Sequence, residues 1–136
     1  MKTIILIFLS FLIFSCNQIK KENGVQLNGK YSIADFRMTP EFKKDSIGRK
    51  KLMSILTSGQ YKFDFSLKDS IVKIDPKFGM EYFGDSIFEY KVDKKFIALR
   101  NPYKKINLPY KNDHGIIRLL IDKKGIELFS ITPSKK

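Results

Sequence analysis

Few side chains in this sequence are of the kinds that do chemistry. There is one thiol, Cys16, and one imidazole, His114. A zinc site of the usual type draws four ligands from clustered Cys and His, and one of each excludes it. A lone thiol also excludes a disulfide framework within the chain. His114 stands in the turn sequence Asn112-Asp113-His114-Gly115, where Asp readily bonds its own following backbone, so a solvated loop residue is expected. Asp64 and Glu89 are carboxylates of the type that pair for acid–base work, yet both alternate with apolar neighbours, which turns them to water. No Gly-rich phosphate loop, metal-ligand spacing or nucleophile elbow is present. The chain reads as a non-enzyme without a cofactor. What remains are Arg37, Arg100 and Arg118, whose planar guanidiniums suit a carboxylate head group. The plain alternative for each is an outward-facing strand residue.

Cys16 draws its interest from its position. Residues 1–16 read MKTIILIFLSFLIFSC: a single Lys2, an apolar run broken only by Ser10, then the small Ser15. That is the layout of a secretory signal, and the run is too short for the ~20 residues a membrane span needs. Ile13-Phe14-Ser15-Cys16 resembles the lipobox of bacterial lipoproteins. The resemblance implies cleavage before Cys16, a diacylglyceryl group on its thiol and a further acyl chain on its amine. An ordinary secretory signal cut nearby is the alternative. Two or more chains hold a protein on a bilayer where one does not, at ~0.8 kcal/mol per buried methylene. By resemblance to lipoprotein sorting rules, Asn rather than Asp after Cys16 implies the outer membrane of a diderm bacterium. A lone Glu22 beside Lys20 and Lys21 favours the periplasmic face over the cell surface. The expected order is a signal peptide over 1–15, a flexible tether over 16–28 and one folded domain over 29–136.

From residue 29 the apolar pattern has a period of two, the mark of half-buried strands. Its clearest stretch is 61–67, with Tyr61, Phe63, Phe65 and Leu67 on one face. Further strands are expected over 30–38, 71–75, 87–92, 96–100, 106–110, 116–121 and 126–131. Short turn sequences separate them. Asn112-Asp113-His114-Gly115 and Asp122-Lys123-Lys124-Gly125 read as four-residue hairpin connections whose Gly takes positive φ. Strands at this spacing form an antiparallel meander that closes as a barrel or sandwich. One helix is expected after the first strand, from the Thr39 cap and Pro40 to about Thr57, weakened at Gly48. Residues 77–85, interrupted by Gly79 and Gly84, fit no clear period.

Leu27-Asn28-Gly29-Lys30-Tyr31 resembles the Gly-x-Trp opening of the lipocalins, with Tyr31 in the place of Trp. The layout over roughly 27–132 is similar to the small lipocalin-like domains of diderm lipoproteins. The resemblance implies a mainly β, up-and-down antiparallel barrel of about eight strands. It also implies an apolar interior holding a small hydrophobic ligand, and an Arg over the motif aromatic, either Arg118 or Arg100. Inward candidates are Tyr61, Phe63, Phe65, Phe88, Tyr90, Phe96 and Leu108. An eight-stranded barrel is wide enough either to be filled by its own side chains or to hold one small ligand. A solid core and a cavity both remain open.

Apolar residues form 43% of the chain, enough for a core and against wholesale disorder, while 26 Lys+Arg oppose 14 Asp+Glu for a net +12. The cations come as doublets spread through the turns, which argues for a solvated surface rather than one patch. Export argues against nucleic acid as a partner. The partners left are the membrane through its anchor, a small apolar ligand, and an envelope protein met by the outer face.

Overall fold

The computed structural model describes residues 24–135. Eight strands follow one another in sequence order round a closed antiparallel barrel. They are β1 Gly29–Met38, β2 Phe63–Ser66, β3 Ile71–Ile74, β4 Ile87–Val92, β5 Phe96–Arg100, β6 Lys105–Asp113, β7 Ile116–Lys123 and β8 Ile126–Pro133. β8 closes the ring on β1, from Tyr31↔Pro133 to Met38↔Ile126. The expected alternation governs each wall: β2 buries Phe63 and Phe65 between half-exposed Asp64 and Ser66, and β4 buries Phe88 and Tyr90 between exposed residues. Two connections are tighter than the sequence suggested. His114-Gly115 and Lys124-Gly125 both have positive φ at both residues, as two-residue mirror-image turns whose twist matches the strands.

The single helix expected after the first strand is two. α1 spans Pro40–Lys44 and α2 spans Ser46–Thr57. Thr39 accepts the Phe42 N–H at 3.3 Å and Pro40 opens α1, as its sequence implied. The break falls at Asp45, not Gly48, because the Asp45 carboxylate accepts the Gly48 N–H at 2.9 Å and so caps a new helix. A third helix, α3 over Pro76–Tyr82, lies between β3 and β4 where no period was evident. Asp75 accepts the Phe78 N–H at 3.0 Å, Pro76 takes the first position, and Phe78 and Tyr82, four apart, are buried. Lys62 is buried between the two helical segments, its ammonium donating to the Ser58 carbonyl. Burial pulls its pKa down, with Asp75 acting the other way.

The helices gather at one end of the barrel together with the β5–β6 and β7–β8 connections. The β2–β3, β4–β5 and β6–β7 turns lie at the other, here called the turn end. At the turn end, residues 24–28 run across the opening as a strap, although the sequence placed them in a free tether. Leu27 is fully buried, and its carbonyl accepts the Tyr90 hydroxyl at 2.8 Å. The Val25 N–H donates to the Tyr110 hydroxyl at 3.2 Å, which in turn donates to the Asp93 carbonyl. Gly24 lies so close to Asp93 that a Cβ there would overlap its carbonyl oxygen.

Between the ends, the barrel is filled with rings. Tyr90 meets Phe65 at 5.0 Å, Phe65 stacks on Phe63 at 5.7 Å, and Phe63 meets Phe78 of α3 at 5.6 Å. Phe78 and Tyr82 both reach Phe129 of β8 at 5.1 Å. Edge-to-face pairs at these distances add about 0.5–1.5 kcal/mol each beyond burial. This column is the core.

Candidate binding cleft

The column accounts for most of the residues expected to line a cavity. Phe63, Phe65, Phe88, Tyr90 and Leu108 are buried and inward. Tyr61 and Phe96 are not. Tyr61 precedes β2 and lies outside the barrel beneath the Lys30 ammonium, 4.7 Å from its ring centre. Phe96 opens β5 on the outward register, opposite Pro109, and is 39% exposed. All three arginines stand outside the barrel, which corrects their assignment to an interior site. Arg37 pairs with Glu127 at 2.8 Å and Arg118 with Asp113 at 3.2 Å, while Arg100 borders an outer groove of about 430 Å³ with Ile87 and Tyr103. Strand parity decides this for Arg100 and Arg118, since Leu99, Ile117 and Leu119 next to them take the inward positions. Tyr31, the motif aromatic, meets Phe65 at 5.4 Å instead of a guanidinium. His114 is almost fully exposed, Asp64 and Glu89 sit on separate strands, and no group of metal-ligating side chains forms among the described residues. Cys16 lies outside the described residues.

One stretch of the wall is open. The β6–β7 ladder runs from Tyr110↔Leu119 to Asp113↔Ile116 and stops, although β6 begins at Lys105 and β7 continues to Lys123. Two residues explain the gap. The Tyr110 N–H donates to Lys95 on the β5 side, so by strand alternation the Pro109 nitrogen faces β7, and it has no hydrogen to give. On β7, Asp122 adopts a φ of 49°, and the register with β8 slips between Leu120 and Lys123. A bulge of this kind bends a strand out of line.

The separated strands leave a hollow of about 580 Å³ between residues 106–109 and 120–123, with Tyr82 and Phe83 from the end of α3 in its lining. Leu108 and Ile121, otherwise core residues, contribute to its walls. Burial, helped by the neighbouring Glu81 carboxylate, pushes the Tyr82 pKa up to about 12, so its hydroxyl stays neutral at physiological pH. Arg37, Lys123 and Glu127 border the hollow. A largely apolar slot with a few polar groups around it is the general form of a small-molecule site. Of the residues singled out in the sequence, Leu108 and Arg37 meet here. Pro109, Ile121, Asp122 and Tyr82 were not anticipated, and the one signal for them was a proline inside a strand-like run.

The chain matches no protein-family model, no curated protein and no solved structure.

Proposed function

We propose that this is a lipid-anchored envelope lipoprotein with a lipocalin-like barrel, acylated at Cys16 and held at the outer membrane on its periplasmic face. It is not an enzyme. Its barrel binds a small hydrophobic ligand, and it does so in the β6–β7 cleft rather than in the ring-filled interior. The separation of β6 from β7 is the observation that carries this reading, because it brings buried Leu108 and Ile121 to the lining of a solvent-accessible hollow. Native mass spectrometry of the protein extracted from its own membranes tests it. An apolar molecule should co-purify with the wild type and be lost from Leu108→Glu or Ile121→Lys, checked for folding by circular dichroism. Repeated recovery of ligand-free wild type rejects the binder.

The aromatic column favours a second reading. A barrel stabilised by its own rings also serves as a rigid, non-enzymatic interaction module whose outer face meets an envelope protein. Ile87 and Tyr103, 54% and 87% exposed beside Arg100, are the surface that such a partner would cover. Substituting both with Ser separates the readings, since it abolishes a protein complex and leaves ligand recovery unchanged.

A further inference from the structure

Acylation alone leaves open which side of the barrel meets the bilayer. We propose that the turn end rests on an anionic lipid leaflet, drawn there by Lys68, Lys95, Lys111 and Lys135; this rests on the acylation of Cys16. The first argument is reach. The strap delivers the chain to the turn end, where Gly24 packs on Asp93 and Val25 bonds to Tyr110. Only seven residues lie between Gly24 and Cys16, and the eight Cα–Cα steps span at most about 29 Å when fully extended. That is about the ~30 Å that the 10 residues of β1 cover along their own axis. The helical end can therefore face the anchor only if the tether runs back along the barrel wall, whereas the turn end meets it directly.

The second argument is charge. The carboxylates of the turn end are engaged locally. Asp69 accepts the Ser66 hydroxyl at 3.1 Å, Asp93 accepts the Lys95 and Phe96 N–H groups, both at 2.7 Å, and Asp113 holds Arg118 at 3.2 Å. The bonds from Lys95 and Phe96 hold the Asp93 carboxyl below the usual range, so it stays a turn-forming anion. None of Lys68, Lys95, Lys111 and Lys135 lies within ion-pair distance of a carboxylate among the described residues. At the helical end Glu81 takes Lys51 and Lys124 and Glu127 takes Arg37, while Lys43, Lys50 and Lys77 also lie outside ion-pair distance of a carboxylate among the described residues. It is therefore the nearby tether that gives the turn-end ammoniums first access to the bilayer. Exposed ammoniums next to a membrane tether are the chemistry that anionic head groups attract, within a Debye length of the surface. Leu67, 42% exposed in the β2–β3 turn and tied to the strap by its N–H to Asn28, adds an apolar contact on the same side.

The test uses the full lipidated protein reconstituted in vesicles. With Cys16 acylated, a thiol introduced by Gln26→Cys on the strap, or by Met80→Cys on α3, is the only one open to a fluorophore. In vesicles containing phosphatidylglycerol and a headgroup quencher, the label at position 26 should be quenched several-fold more than the label at 80. The difference should narrow in pure phosphatidylcholine and in high salt. It should also narrow when Lys68, Lys95 and Lys111 are all replaced by Glu, and persist when Lys43, Lys50 and Lys77 are. Equal quenching at the two sites overturns the proposal, and so does a preference unaltered by lipid charge, salt and the turn-end reversals. Wild-type Cys16 that reacts with a maleimide overturns the anchor and this proposal together. A blocked Cys16 without a charge-dependent preference overturns this proposal alone.

Discussion

β6 has two flanks, and they behave differently along the same residues. Towards β5 it is paired without a gap, from Phe96↔Pro109 to Arg100↔Lys105. Towards β7 it is paired only from Tyr110 onward. Leu120 and Ile121 still offer apolar side chains where the ladder has stopped, so a lack of hydrophobicity alone does not open the wall. Backbone chemistry does. One missing N–H at Pro109 and one left-handed residue at Asp122 suffice to separate strands whose side chains would otherwise suit a continuous sheet. The barrel tolerates the gap because the ring column between the strap and α3 carries the stability.

If that division is right, damage to the column should far exceed damage to the seam. Phe78→Ala removes a fully buried ring that contacts Phe63, Tyr82, Phe83 and Phe129. It should cost about 3–5 kcal/mol, read as a lower urea midpoint. A loss under ~1 kcal/mol would mean that the rings are loosely packed. Leu27→Ala comes next, at about 2–5 kcal/mol, because it empties the space beneath the strap. The result also separates strap from tether, since a residue in a free tether would cost nothing when truncated.

The seam itself is sharpened by Pro109→Val. The substitution returns an N–H facing β7, and a net hydrogen bond is worth about 1 kcal/mol. Stability should hold or rise slightly, the new amide should be protected from hydrogen exchange, and uptake of an apolar dye in the cleft should fall. If the amide introduced at position 109 exchanges as fast as one in a loop, the Asp122 bulge alone keeps the strands apart.

The barrel was legible in the sequence because period two is a strong signal when both faces of a wall differ, as in Tyr61 to Leu67. Its ends were less so. Tyr61 and Phe96 belong to alternating runs by type, but the ladder begins after the first and the second falls on the outward parity, and parity is set by register, not composition. α3 was hidden because Gly79 interrupts its pattern. That glycine is required by contact, since a Cβ there would lie 2.6 Å from the Asp85 carbonyl oxygen. The Asp75-Pro76 start was the readable clue. Of the cleft, the apolar wall residue Leu108 and the bordering Arg37 were visible. The opening depends on which way one nitrogen points and on one residue's φ, and neither follows from a periodicity.

The smallest effect concerns the ion cluster that ties α2 and the β7–β8 turn to α3, next to the cleft lining. Glu81 binds Lys51 at 3.3 Å and Lys124 at 3.1 Å. Burial alone would raise its pKa, but the two ammoniums outweigh it and the net shift is downward from the usual 4.5. A carboxyl whose pKa is lower folded than unfolded binds fewer protons in the folded state. It therefore adds stability above the unfolded pKa and loses it as pH falls through the folded one. Both lysines are more than half exposed, so the contribution is screened and should stay below about 1 kcal/mol. Glu81→Gln should thus lower the urea midpoint slightly at neutral pH and match the wild type at pH well under 4.5. The same variant should loosen Tyr82 and Phe83 and raise dye uptake in the cleft. Identical midpoints at both pH values would mean that the α3 end is held by its buried rings alone, and that the width of the cleft does not depend on charge.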